Sequence, residues 1–202
     1  MVEYYKLFGE LPNENYENCV AFLGKELRFE LTAVYENEFK DAEVRHFNDN
    51  ERRLYTLFFD CTQDYESEDI YARAARMVFV YGRSSPAVAK RKQHRMQQFL
   101  GAFKDQPEYV GYDKGHFIAH CNDGQVDQNL YPQLRELNRG LSPQGKLFRS
   151  MERYIQQNEG VFYFVRPLYS DLTWIPDQID FGIFTKEKGL LLNRFNNRAI
   201  GG

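Results

Sequence analysis

Residues 142–165 read SPQGKLFRSMERYIQQNEGVFYFV. This stretch holds a helix, both its ends and the strand that follows. Ser142 suits an N-cap, and Pro143, with its fixed φ and missing N–H, suits the first helical position. Leu147, Phe148, Met151, Tyr154 and Ile155 recur at i, i+1, i+4, i+7 and i+8, one apolar face of a helix over 143–157. Asn158 and Gly160 supply the stop. Glu152 lies about 100° from the centre of that face, at its edge beside Phe148. Residues 161–165 (VFYFV) then change to aromatic and β-branched composition, which predicts a strand.

Downstream, 179–184 (IDFGIF) and 190–195 (LLLNRF) flank the loop 185–189, which ends in Gly and predicts a hairpin. Upstream, 27–35 (LRFELTAVY) alternates Phe29, Leu31 and Ala33 and reads as a strand, as do 53–62 (RLYTLFFDCT) and 77–81 (MVFVY). Between the first two lies a polar stretch, 36–50, with turn chemistry at Asn48-Asp49-Asn50. Ser85-Pro86 opens another predicted helix, with Val88, Met96, Phe99, Leu100 and Phe103 as its apolar stripe and Lys90, Arg91, Lys92 and Arg95 largely off it. Strands and helices do not alternate regularly. The expected class is therefore α+β, a mixed or antiparallel sheet with flanking helices, rather than a doubly wound parallel sheet.

The 202 residues fit one domain. With 17 Phe, 14 Tyr and 1 Trp, the composition argues against disorder, and no apolar run approaches the roughly 20 residues of a membrane span. The opening MVEYYKLFGE lacks the basic-then-apolar layout of a cleavable signal peptide. The expected setting is soluble, cytoplasmic or reached by a dedicated export route. Cys19, Cys61 and Cys121 show no CxxC spacing, so neither a disulfide framework nor a thiolate zinc site is indicated.

The net charge of −3 hides an asymmetry. Residues 1–70 carry 7 Lys and Arg against 17 Asp and Glu, or −10, and residues 71–202 carry 19 against 12, or +7. The first part reads as acidic and strand-rich, either an accessory unit or part of the same domain. The second is a basic block that attracts polyanions, of which phosphate backbones are the commonest. A solvated surface whose charge balances across the fold is the plainer alternative.

Chemistry concentrates at Val110-Gly-Tyr-Asp-Lys-Gly-His-Phe-Ile-Ala119. Strand alternation puts Lys114 and His116 on one face, Asp113 and Gly115 on the other. Gly115 permits close approach to the backbone. Asp113 can orient a ring nitrogen or anchor a turn. Asn129-Leu-Tyr-Pro-Gln133, Leu137-Asn-Arg-Gly140 and Glu152 follow. Asn, Gln and Glu are hard oxygen donors, suited to Mg²⁺ rather than zinc. With no second His or Cys at ligand spacing, His116 is better placed as a base than as a ligand.

Taken in order, Asp113-Lys-Gly-His116, Asn129-x-x-Pro-Gln133, Leu137-Asn-Arg-Gly140 and Met151-Glu152 resemble the DNA/RNA non-specific endonucleases, with the likeness spanning about residues 109–185. It includes the Arg166-Pro-Leu-Tyr169 and Trp174-x-Pro176 stretch. The resemblance implies an α+β fold with a ββα-metal (His-Me finger) site and Mg²⁺-dependent hydrolysis of DNA and RNA with little sequence specificity. His116 would be the general base and Asn138 the direct ligand of one Mg²⁺ (or Mn²⁺). Glu152 would hold metal-bound waters, and Asn129 would support His116 or the scissile phosphate. Lys114 stands where relatives carry Arg, keeping the charge without the bidentate fork. Phe148 replaces a customary Trp, and the 138–152 spacing is longer through residues 141–146. Arg83, Arg91, Arg95, Arg135, Arg139 and Arg149 are candidates for a nucleic-acid track. The partners implied are DNA or RNA and, for so unselective an activity, an inhibitory protein. A catalytically silent nucleic-acid-binding module of the same fold is the alternative from another class, and a coincidental turn at Asp113–His116 is the third.

Overall fold

The computed structural model describes residues 4–9, 11, 15–40, 42–48, 54–61, 76–85, 105–120, 124 and 129–198. Its centre is a six-stranded antiparallel sheet in the order β1-β2-β3-β6-β7-β8. The strands are β1 (Val44–Asn48), β2 (Tyr55–Asp60), β3 (Arg76–Arg83), β6 (Phe162–Leu168), β7 (Gln178–Thr185) and β8 (Gly189–Asn196). A separate two-stranded ribbon pairs β4 (Tyr112–His116) with β5 (Leu130–Leu134). The helices are α1 (Tyr4–Gly9), α2 (Tyr16–Glu38), the short α3 (Arg135–Asn138) and α4 (Pro143–Gln157). The fold is α+β, as the sequence implies.

Alternation along β6 divides the interior into two clusters. Phe162 and Phe164 pack with Tyr4, Phe8, Leu23, Leu27 and Leu31 of α1 and α2. Tyr163 and Val165 pack with Phe117, Tyr131, Leu137, Phe148 and Met151 of the ribbon, α3 and α4. Two helices thus cover one face of the sheet, and the ribbon with the other two helices covers the opposite face.

α4 forms as its sequence predicts. Ser142 Oγ accepts from Gly145 N at 3.0 Å, Pro143 opens the helix and Gly160 follows it with φ 78°. Phe148, Met151 and Ile155 are buried, but Leu147 is 41% exposed and leaves the expected core face. The predicted β7–β8 hairpin is present, with Gly189 at φ 67° closing its turn. The helix predicted from Ser85-Pro86 lies outside the described residues.

The N-terminal third requires a correction. Residues 27–35, read as a strand, lie inside the 23-residue helix α2. The alternation of Phe29, Leu31 and Ala33 is overridden by Cys19, Leu23, Leu27, Leu31 and Tyr35, each four residues from the last and all buried. Asn15 caps this helix, its Oδ1 accepting from Asn18 N at 3.0 Å. Phe29 points outward at 70% exposure. The polar stretch 36–50 in turn contains β1, which pairs with β2. The acidic part is therefore helical as well as stranded, and its strands β1 and β2 continue the same sheet as β3.

The two readings of residues 27–35 differ in stability terms. Leu27→Ala should cost about 2–5 kcal/mol, because it opens a cavity in a closed core. Phe29→Ala should stay within about 0.5 kcal/mol, as expected for an exposed position. Urea unfolding of both variants measures this, and equal losses would contradict the helical placement.

Candidate functional site

The ribbon pairs Asp113 with Gln133, Lys114 with Pro132, Gly115 with Tyr131 and His116 with Leu130. Asp113 and Gly115 therefore share a face with Gln133 and Tyr131, and Lys114 and His116 share the other with Pro132 and Leu130. Gly115 is needed for close approach: a Cβ there would collide with the Gln133 side chain. Tyr131 Oη and Gln133 Nε2 are buried with no hydrogen-bond partner among the described residues. That face of the ribbon carries polar capacity the described residues do not satisfy.

β5 runs directly into α3, and Arg135 N still reaches Gly111 O at 2.9 Å, one step beyond the strand pairing. This junction brings two separated motifs together. Asp113 accepts from Arg139 Nε at 2.6 Å and Nη2 at 2.9 Å, from Arg135 Nε at 3.3 Å and from Asn138 Nδ2 at 3.3 Å. Burial works to raise the Asp113 carboxyl, but the bonds from Arg139, Asn138 and Arg135 outweigh it and hold it below the usual range. A carboxylate can only accept, so the Asn138 amide must turn its nitrogen to Asp113. Its Oδ1 is left as an oxygen donor with no hydrogen-bond partner among the described residues.

His116 ends β4, and its Nε2 is buried. The chain beyond it is held by Asn129. Phe117 N donates to Asn129 O at 3.0 Å, Ile118 N donates to Asn129 Oδ1 at 2.8 Å, and Asn129 Nδ2 donates to Ile118 O at 2.9 Å. Both ends of this carboxamide thus brace the turn after His116. Phe117 stacks on Tyr131 with centroids 4.1 Å apart, fixing the same turn to β5. Lys114 is partly buried, which lowers its ammonium pKa.

Glu152 comes from α4, with its side chain only 13% exposed. Burial raises its carboxyl, partly offset by Arg149, whose Nη1 lies 2.7 Å from Oε2. The buried Tyr131 phenol is raised mainly by burial and further by the Glu152 charge. The motif by itself singles out neither Tyr131 nor the face that Gln133 occupies. Their period-two placement opposite Gly115 and Asp113 is the signal that finds them.

The candidate arginines divide. Arg135 and Arg139 gather at Asp113, and Arg149 lies against Gly140, where an added Cβ would come 3.2 Å from its Cγ. Arg83 is elsewhere. It forms a bidentate pair with Glu17 of α2 at 2.9 and 2.5 Å and sits 5.7 Å over the Tyr16 ring, on the helix-covered side of the sheet. Arg91 and Arg95 lie outside the described residues.

Among the described residues, no three of His, Cys, Asp and Glu gather as a metal-binding group. The oxygen groups that α3 and α4 bring to this side include Asn138 Oδ1 and the Glu152 carboxylate, the latter held by Arg149. Such oxygens fit a hard divalent cation that keeps most of its water, not a zinc shell of thiolates and imidazoles.

A family model described as DNA/RNA non-specific endonuclease matches residues 62–188, more than half of the chain. No curated protein matches. Solved structures that resemble the chain include one of Sda1 nuclease with a bound zinc ion, at 14% identity over 80% of this chain and 86% of that one, with a TM-score of 0.45. Another is an extracellular endonuclease, at 17% identity over 78% of this chain and 91% of that one, with a TM-score of 0.42.

The site's two carboxyl groups should titrate in opposite directions from their ordinary values. Carbon-detected NMR should place Asp113 below about 3.9 and Glu152 above about 4.3. Because the Asp113 value is depressed on folding, its contribution to stability is present above the unfolded value and is lost as pH falls through the folded one. Asp113→Asn should remove that part of the acid-side loss in pH-dependent unfolding.

Proposed function

Because this chain belongs to the DNA/RNA non-specific endonuclease family, and is thus a metal-dependent nuclease acting on nucleic acid, we propose that it hydrolyses phosphodiester bonds of DNA and RNA with little sequence specificity, through a ββα-metal site on β4, β5 and α3. The observation that carries this reading is the Asp113 cluster. It joins the Asp113–His116 strand to the Leu137–Gly140 segment by direct hydrogen bonds to Asn138 and Arg139.

In this reading His116 is the general base. An imidazole, ordinarily near pKa ~6.5, is a competent base at neutral pH, and here it would accept a proton from the attacking water. Asn138 offers Oδ1 to one Mg²⁺ (or Mn²⁺), and Asp113 holds the carboxamide in that orientation. Glu152 would accept hydrogen bonds from water held by such an ion. A bound divalent cation supplies positive charge against the charge that develops on the phosphate. Lys114, on the same face as His116, contributes a cation to the phosphate without Arg's bidentate grip. Asn129 acts as a brace for His116 rather than a phosphate ligand, since both ends of its amide are committed to Ile118.

Arg135, Arg139 and Arg149 flank the site, each already sharing a carboxylate. Contacts of this kind grip phosphate and sugar rather than base edges, which accounts for acceptance of both nucleic acids. Arg83, paired on the far face, is left out of this track. So unselective an enzyme also calls for a protein that restrains it. None of the described helices is long and apolar enough to cross a membrane.

Supercoiled plasmid incubated with Mg²⁺ should be nicked by the wild type. His116→Ala and Asn138→Ala should each lose about 100-fold or more in rate, the scale of a lost general base, with unchanged circular dichroism. Full activity in Asn138→Ala would remove the metal assignment. Rate should also fall on the acid side, since a protonated imidazole cannot act as a base, and a flat profile down to pH ~4.5 would remove His116 as the base.

A further inference from the structure

Asn197 is fully buried at 0% exposure, nine residues beyond the matched family segment. Among the described residues its side chain bonds only to backbone groups. Oδ1 accepts from Leu134 N at 2.8 Å, and Nδ2 donates to Pro132 O at 3.0 Å and to Pro176 O at 2.9 Å. Its own N–H donates to Asp177 O at 2.8 Å.

The position of these bonds on the ribbon is informative. Phe117 N to Asn129 O and Arg135 N to Gly111 O mark which residues face across the β4–β5 ladder. Counting by twos, Tyr131 and Gln133 share that phase, so Pro132 and Leu134 turn their backbone groups outward, away from β4. Pro132 has no N–H to leave open there. What the edge presents is the Pro132 carbonyl and the Leu134 N–H. The Asn197 carboxamide donates to the first and accepts from the second, as a residue of a third strand would. Asn138 stands four residues after Leu134, with no loop between strand and helix.

We propose that Asn197 is a positioning residue for phosphodiester cleavage. By standing in for a strand on the open edge of β5, it fixes the ribbon and α3, and so Asn138, against the end of the six-stranded sheet. This rests on the assignment of Asn138 above. Its neighbours extend the attachment. Asn196 N donates to Gln144 Oε1 of α4 at 3.0 Å, and Arg198 pairs with Asp171 at 2.8 Å and with Asp177 at 2.5 Å. The segment 196–198 thus joins α4, β5 and the connection between β6 and β7.

The test uses the full chain carrying Asn197→Ala or Asn197→Asp. Three quantities are measured: hydrogen exchange at the Leu134 amide, Mg²⁺ binding by calorimetry without substrate, and plasmid nicking. Exchange should accelerate, and Mg²⁺ affinity and kcat should each drop about 10- to 100-fold, the usual scale for losing a partner that orients a ligand. The KM for DNA should barely move. Tyr4→Phe, which loses its 3.0 Å bond to Asp180 on the opposite face of the sheet, should keep wild-type Mg²⁺ affinity and kcat. Asn197→Asp keeps the size and the acceptor for Leu134 N–H while losing both donations, so its Mg²⁺ affinity and kcat decide the matter if the alanine variant does not fold, and exchange at Leu134 is read in the alanine variant alone. Unchanged exchange at Leu134, or faster exchange with wild-type Mg²⁺ affinity and kcat, would overturn the proposal. Wild-type activity in Asn138→Ala would instead sink the metal assignment, and Leu134 exchange would still report the clamp by itself.

Discussion

Strand β6 is buried on both sides, from Phe162 through Pro167. Such a strand can exist only if both faces of its sheet are covered, because each exposed aromatic ring would forfeit roughly 1.5–3 kcal/mol of burial. α1 and α2 meet this demand on one face. On the other, the cover is the ribbon with α3 and α4, through Phe117, Tyr131, Leu137, Phe148 and Met151. The elements that carry the candidate site are therefore held in place by the same apolar contacts that complete the core. Asp113, Lys114, His116 and Asn138 sit at the rim of that cover, next to side chains that cannot move without opening the interior.

The sequence reveals its regular elements where one periodicity is unopposed. α4 shows a cap, a proline and a clean apolar face, and β6, β7 and β8 are short aromatic or aliphatic runs bounded by glycine. α2 is harder because two periods overlap. Over 27–35 the alternation of Phe29, Leu31 and Ala33 competes with the four-residue spacing from Cys19 to Tyr35, and only the longer window favours the helix. Tertiary burial decides between them, since Leu23, Leu27 and Leu31 are fully enclosed while Phe29 is not. At the site, the motif order is plain in the sequence, and the strand face shared by Lys114 and His116 follows from spacing alone. The pairing of Asp113 with Arg139, and of Arg83 with Glu17, depends on which elements the fold makes adjacent. Asn197 belongs to no motif, and only its contacts distinguish it from any other asparagine.

Among the described residues, the acids of α2 and the arginines at Asp113 stand on opposite sides of the sheet. Glu17 and the other acids of α2 stand on the helix-covered side of the sheet, while Asp113 holds Arg135 and Arg139 on the ribbon side. Packed layers lie about 10 Å apart, so the two sides are separated by about two layers, well beyond a Debye length of about 8 Å at physiological salt. A polyanion approaching the ribbon is thus largely screened from the acidic helix. What it meets locally is a set of guanidinium groups already shared with carboxylates, which tempers attraction and leaves the fixed geometry of the cluster to set alignment.

The sheet also acts as a partition. Side chains pointing to opposite faces of β6 belong to different clusters, and changes at well-separated sites without shared partners combine nearly additively. Substitutions that tune the packing of α2 can therefore accumulate during divergence with little influence on the ribbon side. The family match begins after β2 and takes in β3, β6 and β7, whose alternating side chains reach both clusters, so the partition runs through the matched segment itself.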